Sequence, residues 1–101
     1  MTDASSVWKK WQEDSTSVRR FGSDVYYKYK AHWYCRDKEG RNGSFLRKYN
    51  GVGNSIEFRA YMVFNSQKKD FVEQHGWKNP TPEGLGSIPF LKMSGARLPR
   101  K

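Results

Sequence analysis

Residues 25–36 read VYYKYKAHWYCR. Taken as one strand, this run has two unlike faces, because side chains along a strand alternate sides. Val25, Tyr27, Tyr29, Ala31, Trp33 and Cys35 fall on one face and read as core, while Tyr26, Lys28, Lys30, His32, Tyr34 and Arg36 form a row of cations set between rings on the other. A polar stretch, 37–43, comes next and ends in an Asn-Gly pair, a strong turn signal. The second strand is predicted over 44–49, its facing left open because Phe45 and Leu46 are adjacent. The third, over 55–65, alternates again: Ile56, Phe58, Ala60, Met62 and Phe64 on the core side, Glu57, Arg59, Tyr61 and Val63 on the other. Three strands joined by short glycine-rich turns predict an antiparallel meander, buried on one side and wet on the other.

Two helices frame this sheet. Over 3–14, Val7, Trp8 and Trp11 make one apolar stripe, with Asp3, Ser5 or Ser6 as N-cap and 15–17 as the stop. Residues 18–24 read as a connection. Over 67–75, Ser66 is the expected cap, Phe71, Val72 and His75 the stripe, and Gly76 the C-terminal cap with Trp77 folding back. This second helix is the expected lid on the core face. From Lys78 onward prolines and glycines remove any period, although Ile88, Phe90, Leu91 and Met93 are suited to a short extended segment that crosses the domain or adds to an edge. The predicted fold class is therefore α+β: a three-stranded antiparallel sheet packed against one helix, a short N-terminal helix and an extended C-terminal arm. Residues 1–77 are the single domain and 78–101 the Pro/Gly-rich basic arm.

The chain's 101 residues suit one core. Only 36% are hydrophobic but 16% are aromatic, so a few large rings must fill that core. Nineteen Lys and Arg against ten Asp and Glu give a net charge of +9, which attracts polyanions whatever the fold. Nucleic acid, DNA or RNA, is the expected partner; the alternative is an acidic surface of a larger protein or complex. Cys35 is the only cysteine, which excludes an intrachain disulfide and a cysteine-based zinc cluster. No apolar stretch has the length of a signal peptide or a membrane span, so the expected location is intracellular, cytoplasmic or nucleoid or nuclear, with no membrane partner.

Catalysis is not predicted. The sequence holds two histidines, His32 and His75, and none of the metal-protease, nucleophile-elbow or phosphate-loop motifs. Asp24, Glu57 and Asp70 with a nearby lysine leave a metal-dependent nuclease as the enzyme alternative; no cofactor or metal is expected. Binding is better supported. Lys28, Lys30, His32, Tyr34 and Arg36 of the first strand, Arg47 or Lys48 according to register, and Arg59 and Tyr61 of the third are expected on one open sheet surface, where cations neutralise phosphates and rings stack on bases. Arg97, Arg100 and Lys101 add a basic tail. In the protein-partner alternative, Trp8, Trp11 and Phe90 are the anchors.

Three strands followed by a helix is also similar in layout to two DNA-binding modules, the plant ethylene-response-factor type and the arm-binding domain of tyrosine recombinases. The resemblance is one of element order, with no shared sequence signature. It implies a three-stranded sheet laid in the major groove.

Overall fold

Helix α1 (Ala4–Glu13) begins at Asp3, whose carboxylate accepts the Ser6 N–H at 2.8 Å while the Ser6 hydroxyl accepts the Asp3 N–H at 3.0 Å. This reciprocal cap satisfies two of the donors a helix start leaves open. Trp8 and Trp11, three residues apart, point the same way and are buried. The computed structural model describes residues 2–40, 43–74 and 85–95, and within them α1 is the one α-helix.

The rest is an antiparallel sheet of eight strands: β1 (Ser17–Phe21), β2 (Asp24–Tyr29), β3 (His32–Arg36), β4 (Leu46–Val52), β5 (Ser55–Asn65), β6 (Asp70–Glu73), β7 (Ser87–Pro89) and β8 (Ser94–Gly95). Strands β1 to β6 form a meander in chain order. Residues 87–95 then bridge its ends, since Ile88 pairs with Ile56 of β5 and Ser94 with Arg20 of β1. A single 3₁₀ turn, Phe90–Lys92, joins the two pairings. The meander is thereby drawn into a barrel with an inside and an outside.

Both surfaces of the sheet are covered, which accounts for the aromatic content. Inside lie Tyr26, Trp33, Cys35, Tyr49, Ile56, Ile88 and Met93. Outside, Trp8 and Trp11 of α1 cover Tyr34, Leu46, Met62 and Phe71. Trp11 is the hub, stacked on Tyr29 at 4.7 Å between ring centroids and edge-on to Tyr34 and Phe71 at 4.9 and 5.1 Å.

The three-stranded sheet with a helical lid is thus overturned, for three local reasons. The run 25–36 is a hairpin and not one strand: Lys30 (φ +48°) and Ala31 (φ +70°) form a two-residue left-handed turn, and Tyr26 comes opposite Cys35 and Tyr27 opposite Tyr34. The alternation expected to separate core from cations is therefore reversed halfway. In β5 the register shifts, Tyr49 pairing with Phe58 and Lys48 with Ala60, so Arg59 is an extra bulged residue. A bulge flips the facing of the residues beyond it; Ile56 and Phe58 face in, Ala60, Met62 and Phe64 face out, and Tyr61 turns inward.

The third reason concerns 67–75. The Asn65 side chain accepts the N–H groups of Gln67 and Lys68 at 3.0 and 2.9 Å, imitating a helix cap, but Lys69 (φ +54°) ends the turn. The chain returns as β6, which buries Phe71 against Phe45 and Phe64. Strand β6 stands where the helix was expected, so the layout resembling the sheet-in-groove modules is not formed. His75, Gly76, Trp77 and the expected boundary at residue 78 lie outside the described residues. Among those described, no helix is long and apolar enough to cross a membrane.

Candidate nucleic-acid interface

Three turns meet at one end of the barrel. The β2–β3 turn carries Lys30 and Ala31, the β4–β5 turn carries Gly53 and Asn54, and the third is the 3₁₀ turn. They are fastened to one another: His32 Nδ1 lies 2.9 Å from Asn50 Oδ1, the Phe90 N–H donates to the Asn54 carbonyl at 2.8 Å, and the Phe90 ring packs on Trp33 at 5.7 Å between centroids. Gly53 (φ +58°) takes the left-handed position in the middle turn, a conformation glycine adopts without strain.

This end is basic. Lys30 is exposed on its turn, with its ammonium 5.4 Å from the centre of the Tyr29 ring. Lys28 lies opposite Ser17 on one side and Trp33 on the other. Arg19, opposite Tyr26, is on the same inward face as Lys28 and diagonal to it; both are half-buried at the mouth of the barrel, a spacing that long side chains span. Lys92 is exposed on the 3₁₀ turn. Among the described residues no acid pairs with these four, whereas Asp24 holds Lys38 at 3.6 Å and Arg47 at 3.4 Å, and Glu73 holds Lys48 at 3.6 Å and Arg59 at 3.5 Å. Glu57, exposed on β5 opposite Asn50, is the acid on the adjoining rim.

Of the residues expected on one open face, the fold brings only Lys28 and Lys30 into this cluster. His32 is half-buried and tied to Asn50. Arg36 is half-buried, its guanidinium 3.6 Å from the centre of the Phe45 ring and donating to the Phe45 and Asp37 carbonyls, so it pins the β3–β4 loop. Tyr34 lies under α1, where burial and then the charge of Glu73 push its phenol up to about 12. Tyr61 is fully buried and Arg59 is paired to Glu73. Arg47 is buried inside the barrel, against Cys35 Sγ at 3.1 Å and Asp24. A single open face of cations and rings is therefore not formed. Arg97, Arg100 and Lys101 lie outside the described residues.

Arg19 and Lys92 escape a reading of the sequence, the first because 18–24 reads as a connection and the second because the arm shows no period. Among the partner-docking candidates, Trp8 and Trp11 are core residues and Phe90 is half-buried on Trp33.

The opposite end holds a cavity of about 200 Å³ lined by Ser23, Asp24, Asp37, Lys38, Arg47 and Leu85 among others. Its central carboxylate, Asp24, is already committed to both neighbouring cations. Cys35 beside it is 1% exposed; burial pushes its thiol up, with Arg47 opposing, which keeps it a protonated, unreactive group. Among the described residues no three His, Cys, Asp or Glu side chains are grouped to hold a metal.

No protein-family model, curated protein or solved structure matches the chain.

Proposed function

We propose that this is a non-catalytic nucleic-acid-binding protein that meets the phosphate backbone with one end of its barrel, through Arg19, Lys28, Lys30 and Lys92. The observation that carries this reading is the gathering of four cations without acidic partners among the described residues at the one end where three turns are fastened together, two of them diagonal neighbours on one strand pair. Like charges so placed repel each other, and a polyanion laid between them removes the repulsion while releasing its own counterions. The two turns and Phe90 hold these cations on a fixed frame, so little ordering is lost on contact. In this reading Arg97, Arg100 and Lys101 add phosphate contacts from the tail, and His32 and Arg36 brace the loops without touching the ligand. An intracellular location, cytoplasmic or nucleoid or nuclear, goes with it.

Fluorescence anisotropy with labelled single-stranded and duplex DNA and RNA tests the reading. The wild type is expected to bind at roughly micromolar or tighter in low salt. Arg19→Ala/Lys28→Ala/Lys30→Ala is expected to lose at least about tenfold in affinity. Lys68→Ala/Lys69→Ala, on the β5–β6 turn at the other end, is expected to bind as the wild type does. Absence of binding at low salt refutes the proposal, and equal losses in the two variants refute the assignment of the surface.

A further inference from the structure

Leu91 is 96% exposed, on the 3₁₀ turn beside Lys92 at the basic end. A lone exposed leucine is ordinary on a protein surface. This one is held out by the backbone around it. Pro89 is fixed at φ −65° and paired with Ser55 of β5. Phe90 is anchored by its N–H on the Asn54 carbonyl and by its ring on Trp33. The Met93 N–H returns to the Phe90 carbonyl at 3.0 Å, and the Met93 side chain is buried in the barrel. In a 3₁₀ turn residues three apart lie on one side. Phe90 and Met93 both face the core, and Leu91 between them is directed outward as a braced apolar knob.

Resting on the nucleic-acid reading above, we propose that Leu91 is a wedge that enters a base step of duplex DNA from the minor groove and bends the duplex. Minor-groove proteins that kink DNA do so with an apolar side chain flanked by cations, and the side chain must be held rigidly because it works against base stacking. Here Lys92 supplies the adjacent charge, and Lys30 is on another turn at the same end of the barrel. The narrow groove's concentrated negative potential attracts such cations. The amount of apolar surface favours a base step over a lipid bilayer: Leu91 and Val52, the latter 47% exposed, are the exposed large hydrophobic residues among those described. A gap between two base pairs takes one side chain, whereas a bilayer rewards a broader apolar face.

The test is a titration of a short duplex carrying a donor and an acceptor dye at its two ends, with anisotropy and energy transfer read in the same cuvette. Wild type is expected to raise both signals. Leu91→Ala, which removes no internal contact, is expected to bind about tenfold more weakly and to leave the energy transfer unchanged at saturation. Leu91→Phe is expected to restore bending. A rise in anisotropy without a rise in energy transfer, or equal bending by wild type and Leu91→Ala, overturns the wedge and leaves the nucleic-acid reading standing. No rise in anisotropy overturns both. Leu91-dependent sedimentation with phosphatidylserine vesicles, without DNA bending, assigns the knob to a lipid surface and overturns the wedge as well.

Discussion

Arg47 and Asp24 form an ion pair at 3.4 Å inside the barrel, with the Arg47 side chain 4% exposed. A buried cation needs its partner more than the fold needs the pair. Asp24→Ala is expected to destabilise by about 3–5 kcal/mol, because it strands the guanidinium. Arg47→Met, which removes the charge and fills the space, is expected to cost less than about 1 kcal/mol or to stabilise. Urea unfolding of the two variants checks this, and equal losses in both would contradict it.

The turn at Lys30 and Ala31 places two non-glycine residues in the left-handed region. That conformation costs an L-residue about 1–2 kcal/mol, and glycine recovers it at an entropic cost of roughly 0.5–1 kcal/mol. Ala31→Gly is expected to stabilise by about 0.5 kcal/mol and to raise the melting temperature by about 2–4 °C. Ala31→Val is expected to lower it.

That turn also shows where the sequence ceases to be legible. Hairpins of this type announce themselves through Asn-Gly or Asp-Gly, and Lys-Ala carries no such signal, so the strongest alternation in the chain runs unmarked through its own reversal point. Arg59 hides in the same way, since nothing in the alternation of 55–65 marks a bulge. Asn65 misleads actively: its side chain collects N–H groups as a helix cap does, yet it serves a turn. Where one element decides its own shape, as in the capped helix with Trp8 and Trp11, residues alone suffice. The crossing of 87–95 is legible as extended apolar chain, while its two partners are not, because pairing between distant strands leaves no local trace. Lys28 and Lys30 are legible as candidate binding cations for the same local reason; Arg19 joins them only through the β1–β2 register.

Alkaline pH is expected to unfold the protein earlier than its charge suggests. Burial pushes the phenols of Tyr26 and Tyr49 up, and burial with Glu73 takes Tyr34 from its ordinary 10.0 to about 12. The unfolded chain then sheds protons that the folded one retains, so stability is complete below the ordinary thiol value of 9.0 for Cys35 and falls above it, through about 12 for Tyr34. Denaturant midpoints measured from pH 8 upward, with tyrosinate absorbance followed in parallel, check the sign. A midpoint that stays level or rises through this range contradicts it. Tyr34→Phe is expected to flatten the decline.

The most direct test of the basic barrel end is the salt dependence of nucleic-acid binding. A plot of log K against log salt is expected to be steeply negative for wild type, and shallower by about three for Arg19→Ala/Lys28→Ala/Lys30→Ala, about one unit for each lost phosphate contact. Parallel lines for the two proteins would mean that the phosphates lie elsewhere and would contradict the account.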